Sequence, residues 1–117
     1  MDKRRSYRFD KVFPVAVSSR VFGEASGIAR NISEGGMFVE MSEPLPLGCV
    51  VRIHFAMPDS DGEIVARGEV KRHYFLNFAD GEGQRQMTGI GVRFTRFEAG
   101  EHQYGENLGR LALRTLH

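Results

Sequence analysis

Val50-Val51-Arg52-Ile53-His54-Phe55 alternates from Val51 to its end. Val51, Ile53 and Phe55 fall on one face, Arg52 and His54 on the other. A period of two is that of a strand with one side on a core and the other in water. The same pattern recurs outward from this segment. Gly89-Ile90-Gly91-Val92-Arg93-Phe94 keeps Ile90, Val92 and Phe94 in phase, and Glu63 to Phe78 begins with Ile64, Ala66, Gly68 and Val70 on one side. Upstream, Lys11 to Ser18, Arg20 to Arg30 and Met37 to Met41 read as further strands. Gly23 and Gly27 mark bends or bulges. Loops fall at Glu43 to Gly48, whose Pro44 and Pro46 oppose regular pairing, at Pro58 to Gly62 and at Asp80 to Gly83. Short alternating segments divided by Gly, Pro, Ser and Asp predict an all-β barrel or sandwich. From Glu98 the period becomes helical, with Tyr104, Leu108, Leu111 and Thr115 on one face, and Gly105 and Gly109 weaken that helix. Most of the nine phenylalanines are expected in the core.

The chain has 117 residues, room for one domain, and 41% apolar with 26% charged residues is the balance of a globular protein rather than a disordered one. Sixteen Lys and Arg against fifteen Asp and Glu leave a net charge of +1, too little to hold long nucleic acid by bulk charge. Any anion site must therefore be local. The single cysteine, Cys49, cannot close an internal disulfide and is expected to be a small buried group. Lys3, Arg4 and Arg5 look like the start of a signal peptide, but the following apolar run, Val12 to Val17, is short and contains Pro14. A cytoplasmic protein without membrane insertion is expected.

Two segments carry the functional signal. Lys3, Arg4, Arg5 and Arg8 place four cations in the first eight residues of a near-neutral chain. Arginine dominates, and a guanidinium is a planar fork suited to phosphate or to the O6/N7 edge of guanine. The second segment is Asn31-Ile32-Ser33-Glu34-Gly35-Gly36, which reads as a tight turn with glycines at positive φ. Asn31 both donates and accepts, Ser33 adds a hydroxyl, and Gly35 and Gly36 let a ligand approach the main chain. Separately, each has a plain reading: a solvated basic terminus and an Asx turn.

Together, Arg-x-x-x-Arg followed by Asn-x-Ser-x-x-Gly within a six-stranded β pattern resembles the PilZ domain family. The late strand Gly91-Val92-Arg93-Phe94 adds to the resemblance, which runs from about Lys3 to Phe97. It implies a six-stranded antiparallel β-barrel with a short C-terminal helix: an N-terminal arm over 1–10, a barrel over 11–97 and a helix over 98–117. It also implies a receptor for the bacterial second messenger cyclic di-GMP, with no other cofactor. Arg4 and Arg8 would hold phosphate and guanine, Asn31 would read a guanine edge, Ser33 would bond phosphate or base, and Gly36 would keep the turn clear. Arg5, Gly35, Arg30 and Lys3 would be auxiliaries, and Tyr7 would stack or pack. An arm this poor in apolar residues should be mobile until ligand orders it, and the new surface would be read by a partner protein. Arg8→Ala should then abolish binding and leave the β spectrum intact.

Other classes fit less well. A PilZ-fold adaptor that binds no nucleotide is the main alternative, opposed by the complete signature. An RNA-binding barrel is opposed by the net charge and by the lack of a basic face in the strand sequence. His54, His73, His102 and His117 have no metal-ligand spacing, Asp59, Asp61 and Glu63 lack the later Glu of a calcium loop, and no catalytic triad or carboxylate pair is evident, so an enzyme comes last.

Overall fold

The computed structural model describes residues 12–57, 62–106 and 108. Six strands follow in order: β1 (Phe13–Ser19), β2 (Gly23–Ser33), β3 (Gly36–Glu40), β4 (Val50–Phe55), β5 (Ile64–Asp80) and β6 (Gly83–Ala99). They close as a barrel in the order β1-β2-β3-β6-β5-β4, with β4 returning to β1. Every pairing is antiparallel. Closure satisfies both edges of each strand within the barrel wall. One short helix, α1 (101–106), follows β6. The arm expected over 1–10, with Arg4, Arg5 and Arg8, lies outside the described residues, as do Leu111 and Thr115.

Alternation decides which side chains face inward. Val51, Ile53 and Phe55 are buried, as are Ile64, Ala66, Val70, Ile90 and Val92. Ile32, Ile53, Ile64 and Ile90 are wholly inaccessible, each a burial that stabilises by about 1.5–3 kcal/mol. Pro14 is tolerated inside β1 because β1 pairs with β4 only from Ala16 to Ser18, so its missing N–H costs that ladder nothing. At the end of β6, Gly100 has φ 78°, and a Cβ there would sit 2.9 Å from Ile64 Cγ1. Only glycine makes that corner, and Tyr104 N–H then donates to Gly100 O at 2.9 Å to start α1.

Several expectations are corrected. Asn31, Ile32 and Ser33 complete β2 rather than lying in a turn; only Glu34 and Gly35 connect β2 to β3, and neither Gly35 nor Gly36 has positive φ. β6 starts at Gly83, six residues before the apolar pattern begins. The reason is physical. Beyond Val70, β5 has only β6 as partner strand, and before Thr88, which still bonds Met41, β6 has only β5. This end of the hairpin is a two-stranded ribbon wet on both faces, so no core imposes alternation on it. The phenylalanines also divide. Phe13 and Phe55 are buried, while Phe94 and Phe97 pack partly buried against the core. Phe22 in the β1–β2 hairpin and Phe75 on the ribbon are 55% and 61% exposed. Cys49 is half-buried rather than buried.

Candidate functional site

A cleft of about 560 Å³ lies on the outer face of β2, β3, β5 and β6. Two β-bulges shape its walls. On β2 the register steps from Ala29↔Val39 to Asn31↔Phe38, which leaves Arg30 as an extra residue. Ala29 and Ile32 both remain inside, so Arg30 and Asn31 can both face outward in succession. On β5 the register steps from Val70↔Val92 to Arg72↔Gly91, which puts Lys71 and Arg72 side by side at the cleft. Simple alternation would have turned one of each pair into the core.

The β2–β3 connection is fixed from three directions. Phe94 N–H donates to Gly35 O at 2.8 Å, tying the connection to β6. The Ser33 hydroxyl donates to Gly36 O at 3.4 Å, a long bond that leaves its oxygen free to accept. From below, the Tyr104 hydroxyl of α1 donates to Ser33 O at 2.6 Å. Tyr104 is only 2% exposed and packs against Phe55, Phe94 and Phe97. Burial first, and the charge of Glu34 second, hold its phenol well above the usual tyrosine range. Gly36 is needed for a reason the sequence did not supply: a Cβ there would lie 2.1 Å from Val92 O of the neighbouring strand. Gly35 has open space around it.

Charge and aromatic surface meet in this cleft. Arg30 Nε donates to Glu40 Oε1 at 2.6 Å, and Lys71 Nζ donates to Glu69 Oε1 at 2.8 Å. The hydrogen bond and charge of Lys71, with a further contribution from Arg93, hold the Glu69 carboxyl below its ordinary range. Arg72 forms no ion pair among the described residues, and Arg93 stands opposite Glu69 in the β5–β6 register without a direct bond to it. Phe38 and Tyr74 meet edge to face, with ring centroids 4.7 Å apart. Gly91 makes room for the tyrosine, since a Cβ there would stand 3.0 Å from Tyr74 Cε2. The cleft therefore joins hydrogen-bonding groups, guanidinium groups and a flat ring surface. That combination suits a planar, anionic ligand.

Of the residues read from the sequence, Asn31, Ser33, Gly36, Arg30 and Gly35 all line this one cleft. Arg72, Arg93, Phe38 and Tyr74 also line it and were missed. The bulge at Lys71 and the pairing of distant strands bring them together, and neither is visible as a local motif. His73 has a structural partner instead: its Nε2 lies 2.6 Å from Leu45 O, joining the ribbon to the β3–β4 loop.

Residues 2–112 match the family model of the PilZ domain, and the chain belongs to that family. Solved structures share the fold. The PilZ domain of YcgR from Escherichia coli, solved with c-di-GMP, superposes with a TM-score of 0.68 at 14% identity, over 98% of each chain. The MrkH–c-di-GMP complex of K. pneumonia gives a TM-score of 0.75 at 19% identity, over 100% of this chain and 55% of MrkH, so this chain spans about half of that protein. The PilZ domain of CeSA from a cellulose-synthesizing bacterium gives 0.55 at 22% identity, over 95% of this chain and 99% of the other. No curated protein sequence matches the chain. No helix among the described residues is long and apolar enough to cross a membrane.

Proposed function

We propose that the chain is a cyclic di-GMP receptor that folds its N-terminal arm over the cleft and signals through a partner protein. The observation that carries this reading is the position of Val12. It is the first described residue and it lines the cleft, so Arg8, four residues upstream, starts within about 14 Å of chain from the Asn31-Ser33-Gly36 face. Arg4 and Arg8 grip phosphate and the guanine O6/N7 edge, Asn31 reads a guanine edge, and the free lone pairs of Ser33 accept from base or ribose. Arg72 and Arg93 add positive charge for the two phosphates. Ordering the arm costs about 1–2 kcal/mol per residue fixed, so charge-assisted bonds must exceed that, and a dissociation constant between micromolar and submicromolar results. The cytoplasmic setting expected from the sequence belongs to this reading.

Calorimetric titration with cyclic di-GMP tests it. Wild type should bind in that range. Arg8→Ala and Asn31→Ala should each weaken binding by about tenfold or more, as expected for losing a charged or bidentate contact, with the far-UV spectrum unchanged. Arg8→Ala binding as wild type does would remove the arm from the site. Absence of heat at saturating nucleotide would leave the adaptor reading in its place.

A further inference from the structure

On the outer face of β4, β5 and β6 the register sets Arg52 opposite Arg67, and Arg67 opposite Arg96. Three guanidinium groups thus form a row at right angles to the strands. Like charges placed directly opposite each other across strands are destabilising. One carboxylate offsets them: Glu98 accepts from Arg52 Nε at 2.7 Å, Arg96 Nη2 at 3.3 Å and Arg67 Nη1 at 3.4 Å. Three cations sharing one anion leave an excess of two positive charges in the row, against +1 for the whole chain. The arginine side chains are 50%, 34% and 64% exposed in strand order, so the outer two are open to solvent and Arg67 between them is half-buried. None of the three lines the nucleotide cleft.

We propose that the Arg52-Arg67-Arg96 row is a docking surface for an acidic protein segment, with Glu98 holding the place of one of its carboxylates. The row steps by about 4.8 Å from strand to strand. Carboxylates one turn apart on a helix are spaced by about 5–6 Å, so an acidic helix laid across the strands meets the arginines in turn. The anion already bound is a planar carboxylate, which a guanidinium matches with paired N–H donors. Nucleic acid fits less well. Glu63, 3.2 Å from His54, stands beyond the three arginines, so a long polyanion running past the row would meet negative charge that a short acidic helix confined to it does not. The biological purpose of the surface rests on the proposed signalling through a partner; the contact itself needs no nucleotide.

The test uses the full chain and fluorescence anisotropy. The probe is a labelled helical peptide of roughly 15 residues with glutamates along one face. Its glutamine counterpart, a single-stranded DNA oligonucleotide and phosphatidylcholine/phosphatidylglycerol vesicles are run beside it. The glutamate peptide should bind at about 50 mM salt and weaken several-fold at about 300 mM. The glutamine peptide should not bind. Arg52→Gln with Arg96→Gln should lower affinity about tenfold and leave the melting temperature no lower. Glu98→Gln should tighten the peptide a few-fold, because it removes the internal competitor; a purely structural ion cluster would not do this. The proposal is overturned by no binding of the glutamate peptide, by binding that the double variant leaves unmoved, or by tighter binding of DNA or vesicles. Nucleotide titration of the same samples separates the two readings. If cyclic di-GMP binds and the peptide does not, docking alone fails; if the peptide binds and the nucleotide does not, the receptor reading fails and docking stands.

Discussion

Gly36→Ala should lower the stability of the barrel by roughly 3 kcal/mol. That is a fall in melting temperature on the order of 15 °C for a domain of this size. The added methyl would stand 2.1 Å from Val92 O and 3.2 Å from Val92 C, both main-chain atoms with no rotamer to change. β3 and β6 would have to part where Gly36 pairs with Arg93 and Met37 with Val92. Gly35→Ala is the matched control, since nothing lies within 4 Å of its Cβ position. It should stay within about 0.5 kcal/mol of wild type. Both glycines invite the same reading from sequence, as clearance for a ligand. Thermal melts of the two variants without nucleotide separate strand approach from ligand clearance, and equal melting temperatures would refute the steric account.

Tyr104→Ala should cost about 3–5 kcal/mol, the range for emptying a buried aromatic site. The ring is 2% exposed and touches three phenylalanines, so the space cannot close cheaply. Tyr104→Phe keeps the ring and loses only the 2.6 Å bond to Ser33 O, for about 1–2 kcal/mol. A pH series distinguishes these effects. In the folded protein burial keeps the phenol neutral far above its ordinary range, whereas the unfolded tyrosine ionises near pH 10. The folded pKa is the raised one, so the stabilisation is complete below about pH 10 and is lost as pH climbs above it. The gap in melting temperature between wild type and Tyr104→Phe should therefore shrink from about pH 10 upward. A gap that widens with pH would contradict the buried neutral phenol.

β4 and the first half of β5 were legible residue by residue, whereas β2 runs Gly23–Ser33 rather than Arg20 to Arg30 and β6 continues to Ala99, past the Glu98 where a helix was expected. Val50–Phe55 ends where its alternation ends, and the inward set of β5 begins as read from Ile64 to Val70. Legibility failed where no core reads the side chains. Gly83 to Met87 extends β6 past β3 and away from the core, so its polar sequence gives no period. At the site, Asn31 and Ser33 were found as a motif but assigned to a turn. The bulge that lets Arg30 and Asn31 face outward together depends on how β3 registers against β2, which neither strand encodes alone. The same holds for Phe38 meeting Tyr74, and for three arginines contributed by three separate strands.

The supernumerary residue at Arg30 has a consequence for how this scaffold can vary. Because one extra position is absorbed between Ala29 and Asn31, the letters that fill the interior and those that meet a ligand are written out of step with each other. Excising Arg30, in contrast to replacing it, would restore strict two-residue periodicity, with Ala29 and Ile32 still inside and Asn31 still outside opposite Phe38. A single codon loss would thus straighten β2 and take one cation from the cleft wall without disturbing the interior, because the supernumerary position belongs wholly to the outer face.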